Sequence, residues 1–196
     1  MNKKILFGCV FGLIGVIIII ALIGVAYFVD SRNKMAAKEI QVEEAWSQVQ
    51  NVYQRRLDLI PNLANSAQAY MQLEKDIFEA IASARSGIQT AETPGEIENA
   101  NAEINSFIRD LKVVVEDTPE LKASETVRDL MTQLEGTENR ITVERQRFNA
   151  SVGDYNTYIR MWPRSAIANM FDFEPKNFFE AAPGAEIAPE VNLELE

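Results

Sequence analysis

The chain has 196 residues, 19 basic and 29 acidic, with no histidine and one cysteine, enough for about one domain plus accessories. A net charge of −10 repels phosphate backbones and argues against nucleic-acid binding. Without histidine the commonest general base and metal ligand is missing, and the lone Cys9 has no partner for an internal disulfide.

From Ile5 to Val29 runs ILFGCVFGLIGVIIIIALIGVAYFV, free of charge throughout. As a helix it is about 37 Å long, against a hydrocarbon core of about 30 Å. Tyr27 and Phe28 suit an interfacial belt at its end. A cleavable signal would have a shorter apolar core and a small-residue cleavage site, which Tyr27 to Asp30 does not offer. The stretch therefore reads as a retained transmembrane anchor over residues 5–29, behind a short basic start at 1–4. Cys9 lies in LFGC, but in an acylation signal the apolar core precedes the cysteine, whereas here it follows. Gly8, Gly12 and Gly15 share one helix face that allows close pairing of two spans, which leaves a homo-oligomer open.

Basic residues are nearly balanced across the span, with Lys3 and Lys4 before it and Arg32, Lys34 and Lys38 after it. The positive-inside rule therefore decides little. The short MNKK start resembles a signal-anchor and favours an extracytoplasmic domain. Beyond the span lie all 29 acidic residues and 17 basic ones, the 19 less Lys3 and Lys4.

After a juxtamembrane linker at 30–41 the pattern becomes helical. Trp46, Tyr53, Ile60, Ala67, Ile81 and Ile88 follow a seven-residue spacing, as do Val42, Val49, Leu63, Tyr70, Ile77 and Ala84. Only Arg56 and Glu74 interrupt this seam. It crosses Pro61 in phase, which predicts one kinked helix over 42–88. Thr93, Pro94 and Glu96 then spell a cap, a first helical residue and a capping box. A shorter helix follows through Ile97, Ile104, Ile108, Leu111 and Val115, ending at EDTPELKAS, a turn or an extended crossover. From about Ser124 a second long helix carries Val127, Leu134, Ile141, Phe148, Tyr155 and Trp162, and Pro163 stops it. Its neighbouring series contains Glu138 and Arg145 among Met131, Val152 and Ile159. No strand alternation competes. The expected fold is all-α: an amino-terminal transmembrane helix, then an elongated antiparallel bundle of three to four helices over 42–180.

Charges on packing faces must be paired or solvated. Glu74, Glu138 and Arg145 read as ionic pegs that fix helix register. With Ile88 opposite Val127, facing numbers on the two long helices total about 215. That register places Glu74 within reach of Arg145, and gathers Arg56, Asp58, Asn62, Tyr155, Asn156 and Tyr158 at the kink as a candidate polar binding cluster. Past Pro163, the segment with Phe171, Phe173, Phe178 and Phe179 is expected to fold back and close the bundle. Residues 181–196 read as an acidic flexible tail.

EEAWSQVQNVYQRRLDLIPNL at 43–63, EGTENRITVERQRFNASVGDYNTYIRMWP at 135–163 and EPKNFFEAAP at 174–183 resemble the LemA family of bacterial membrane-anchored proteins. Trp162 departs from the pattern, where phenylalanine is expected. The resemblance implies a helical bundle on a single-pass anchor, and it carries no catalytic residue to any position here. Family members tend to be encoded beside membrane proteases or other small membrane proteins, which implies a partner role in envelope maintenance.

Glu43–Glu44 and Glu116–Asp117 are adjacent pairs that point in different directions on a helix, and no nucleophile elbow or phosphate loop is present. The expectation is a non-enzymatic scaffold or adaptor without cofactor or metal. It would sit in the bacterial cytoplasmic membrane, with the lipid bilayer and an unidentified membrane or envelope protein as partners. The alternative is a ligand-sensing bundle that signals through a partner membrane protein.

Overall fold

A computed structural model describes the backbone of residues 3–67 and 76–180. Every regular element among them is a helix: α1 (Lys3–Ala67), α2 (Asp76–Thr90), α3 (Pro94–Asp117), α4 (Pro119–Ala123), α5 (Glu125–Arg160) and α6 (Arg164–Met170). Glu74 and the expected tail at 181–196 lie outside the described residues.

The chain divides into two compact units, residues 1–51 with 146–176, and residues 52–145 with 177–196. The long helices α1 and α5 contribute to both.

In the first unit the described side chains of α1 start at Gly12. From Leu13 to Val29 its large apolar side chains stand exposed, except the half-buried Phe28, and the segment is apolar enough to cross a bilayer. Packing starts immediately beyond. Residues 30–41, read from the sequence as a linker, continue α1, with Ser31 and Met35 buried. Val42 and Val49 extend this stripe, and α5 answers with Phe148, Val152, Tyr155 and Ile159. Trp46 and Phe148 meet at 5.2 Å between ring centroids, and Lys38 pairs with Asp154, so α1 and α5 run antiparallel here.

The second unit is built on Tyr53, Leu57, Ile60 and Leu63 of α1, Ile88 of α2, Ile97, Ile104 and Leu111 of α3, and Val127, Leu134 and Ile141 of α5. Burying each of these side chains contributes about 1.5–3 kcal/mol. The helix runs through Pro61 as expected. A single helix over 42–88 is not what forms. Such a helix would hold Asp58 and Arg85 about 40 Å apart, yet they form an ion pair, and the Gln54 amide donates to the Arg85 carbonyl at 3.2 Å. α2 therefore folds back along α1.

Helix ends follow local chemistry. The Thr93 hydroxyl accepts from the Glu96 N–H at 3.4 Å, and the Glu96 carboxylate accepts from the Glu92 N–H at 2.7 Å, which holds its pKa below the usual range. EDTPELKAS forms the short α4, and the Ser124 hydroxyl then accepts from Val127 N–H at the start of α5. After α6, Asp172 adopts φ 57°, a region aspartate tolerates, and the Phe173 N–H returns to the Ala168 carbonyl at 3.0 Å.

Candidate functional site

The packing-face charges are spent on one another. Arg56 is 8% exposed, and its guanidinium donates to Glu138 Oε1 at 3.2 Å. Lys112 of α3 donates to the other oxygen, also at 3.2 Å. One carboxylate thus ties three helices of the second unit together. Burial lowers the Arg56 pKa, while Glu138 and Tyr53 pull the other way. A guanidinium retains its charge in such a setting.

Arg145 forms the next layer. It donates to Glu98 at 2.6 Å and to the Glu180 carbonyl at 3.1 Å, and it lies 4.5 Å over the Phe179 ring. It also bonds to the buried Tyr53, whose pKa is raised, chiefly by that burial. The expected Glu74 partner lies outside the described residues; Glu98, exposed on α3 and off any apolar series, takes the role.

Arg56 and Glu138 total 194, not 215, so α1 and α5 meet three heptads away from the predicted register. A seam apolar at every seventh residue packs equally well when it slides by whole heptads, and its charges alone discriminate. The predicted six-residue cluster is divided accordingly. Arg56 and Asp58 belong to the second unit with Glu138 and Arg85; Asn62 is exposed there, its carbonyl accepting from Ser66 at 2.8 Å.

Tyr155, Asn156 and Tyr158 belong to the first unit. Asn156 receives the Lys176 N–H at 2.9 Å and donates to the Lys176 carbonyl at 2.9 Å, and the Lys176 ammonium reaches Glu39 at 2.7 Å. This clamp pins the extended segment after α6. Tyr158 is stacked by two cations, Arg164 at 4.2 Å and Lys38 at 5.3 Å. The Tyr155 hydroxyl is buried without a hydrogen-bond partner among the described residues. Burial first, then the Glu39 and Glu174 charges, push its pKa up to about 12.

Phe179 is buried and Phe173 half-buried, as a folded-back segment requires, whereas Phe178 stays exposed. Phe171 is partly exposed and lies 5.6 Å from Phe28.

A concavity adjoins the first of these networks through Lys112. Lys112, Val115, Lys122, Arg128, Met131 and Glu135 line an open groove of about 480 Å³, with an apolar floor and charges of both signs at its rim. No group of three acidic, cysteine or histidine side chains that could hold a metal ion occurs among the described residues.

Residues 45–193 match the model of the LemA family. Protein LemA of Metamycoplasma hominis is 22% identical over 173 residues, 85% of this chain and 78% of that protein. Magnetosome protein MamQ of Magnetospirillum gryphiswaldense is 33% identical over 88 residues, 43% of this chain. Magnetosome protein MamQ 2 of Paramagnetospirillum magneticum is 32% identical over the same length. The chain spans about a third of the length of the two MamQ proteins, 32% in each case. With the family's pattern matched over most of its length, the chain belongs to the LemA family.

Proposed function

We propose that the protein is a membrane-anchored, non-enzymatic scaffold or adaptor that holds protein partners at the bacterial cell membrane. The observation that carries this reading is α1 itself. Over residues 12–29 it is a bare apolar helix, and from Ser31 it is packed within the first unit without a break. A helix shared by anchor and bundle transmits position, which suits the holding of partners. The buried and half-buried charges support the same reading. Arg56, Glu138, Lys112 and Arg145 are neutralised by one another and by Glu98, as expected of structural pegs.

In-cell crosslinking followed by mass spectrometry tests the proposal. A reproducible membrane-protein companion, lost when residues 5–29 are exchanged for an unrelated span, is the expected result. The absence of any specific companion, together with no self-association in mild detergent, would overturn it.

The groove lined by Lys112 and Met131 favours a second reading, a ligand-sensing bundle working through a partner protein. Thermal shift against a metabolite panel separates the two. Concentration-dependent stabilisation that is lost in Met131→Glu selects the sensor.

A further inference from the structure

Exposed large apolar side chains are unevenly distributed. Beyond the α1 span, eight stand exposed among the described residues, and Met161, Trp162, Met170 and Phe171 supply four of them within one short stretch. Trp162 is 84% exposed, Met170 67% and Met161 51%. Trp162 continues the α5 series of apolar sevenths, yet it falls just past the helix end and its ring stands in the open.

The depth of this stretch is set within the first unit. Lys38 pairs with Asp154 and lies under Tyr158, so the antiparallel α5 ends, just before Trp162, near the level of residues 30–34, where the bare span ends. The far end of the stretch is tied there directly. Phe171 packs 5.6 Å from Phe28, and Arg32 lies 5.0 Å over its ring. Exposed tryptophan is unfavourable in water but is the side chain best suited to a headgroup layer, with an apolar ring and one N–H donor. The thioethers of Met161 and Met170 are flexible enough to fill irregular acyl space. Arg160, exposed in the last turn of α5, and Arg32 place cations at the same level, where phosphate groups lie.

We infer that residues 161–171 are a second membrane contact, in which Trp162 and the flanking methionines insert into the interface of the bilayer that α1 crosses. This inference rests on the membrane reading of α1. It turns a single-pass tether into a two-point attachment, because the end of α5 is gripped by the lipid as well as by α1.

Trp162 supplies its own probe, since Trp46 is the other tryptophan. The full chain carrying Trp46→Phe is reconstituted into phosphatidylcholine vesicles with or without bromine on the upper acyl carbons. Insertion predicts a blue-shifted Trp162 emission and about twofold quenching by the brominated lipid, for a ring about 5–10 Å into the interface. A second chain, carrying Trp46→Phe, Trp162→Phe and Phe28→Trp, reports on the end of the span in the same vesicles. Quenching of the position-28 indole without quenching of Trp162 overturns the inference and leaves the anchor standing. Quenching of neither overturns both. A Trp162 blue shift that grows with protein density but ignores bromine overturns it in favour of a second copy covering the patch. Should Trp46→Phe disturb the contact with Phe148, Trp46→Tyr keeps a ring there and gives the same readout.

Discussion

Arg56 and Glu138, 82 positions apart, meet at 3.2 Å, and Lys112 holds the second oxygen of the same carboxylate. Of the pair, Arg56 is the more deeply buried, so the cost of breaking the contact falls on the cation left behind. Glu138→Ala is expected to destabilise the protein by about 1–3 kcal/mol. The figure is at the lower end for buried pairs because Glu138 keeps some exposure to water. Exchanging Arg56 and Glu138 restores only part of the loss, because Lys112 then faces a guanidinium. Asp58→Ala, which breaks the exposed pair with Arg85, costs under about 1 kcal/mol. Denaturant unfolding of the detergent-solubilised chain, followed by far-UV circular dichroism, ranks the three variants. Equal losses for Glu138→Ala and Asp58→Ala would remove the special standing of the Arg56 site.

That same pair explains which parts of the architecture were legible in the sequence. Caps are local, so Thr93, Pro94 and Glu96 announced the start of α3 correctly. Seven-residue spacing marked the inward faces, and Ile60, Leu134 and Phe148 are indeed buried. Spacing alone does not choose among registers that differ by whole heptads. The prediction from Ile88 and Val127 consequently missed the observed register by three of them. Matching Arg56 to the opposite charge at Glu138 would have chosen correctly. The return of α2 along α1 was hidden for a different reason. QAYMQLEK at 68–75 contains no glycine or proline, and the apolar phase continues across it. The division of the polar cluster between two units follows from the observed register, which neither reading anticipated.

Two helical glycines predict opposite outcomes for one substitution. A Cβ on Gly87 would lie 2.9 Å from the Cβ of Ala100, a short carbon with no freedom to move aside. Gly87→Ala therefore forces α2 away from α3, outweighing the gain of up to about 1 kcal/mol from helix propensity. At Gly136 nothing lies within 4 Å of the added carbon. Gly136→Ala should stabilise by about 0.5–1 kcal/mol. Adding Ala100→Gly to Gly87→Ala should recover stability. Thermal unfolding of the four chains decides, and a stabilised Gly87→Ala alone would contradict the close packing of α2 on α3.

The Asn156 clamp gives a prediction that is local and need not register in global stability. Its amide satisfies both backbone groups of Lys176, and only an amide carries donor and acceptor in that geometry. Asn156→Asp replaces the donor with an oxygen facing the Lys176 carbonyl, and Asn156→Ala removes both bonds, at about 1–3 kcal/mol. Hydrogen exchange should accelerate across 173–180 in either variant while Leu134 and its neighbours in α5 stay protected. Unchanged exchange at Lys176 would show that its contact with Glu39 suffices to hold the segment.

Tyr155 makes the pH dependence specific. Its hydroxyl titrates near 10.0 in an unfolded chain and near 12 in the fold, because burial and the Glu39 and Glu174 charges oppose the phenolate. Below pH 10 both states hold the proton, and the contribution to stability is constant. Between about pH 10 and 12 the unfolded chain releases the proton while the folded one retains it, so stability falls as pH rises. Tyr53 is shifted in the same direction, chiefly by its own burial, and adds to the slope. The difference between wild type and Tyr155→Phe isolates the one group. At neutral pH that variant should equal or exceed wild type by about 1 kcal/mol, since the lost hydroxyl has no partner among the described residues. Above pH 10 its advantage should widen with each step in pH, as measured by denaturant midpoints. Parallel midpoint curves for the two chains would mean that the Tyr155 hydroxyl titrates alike in both states and is not desolvated in the core.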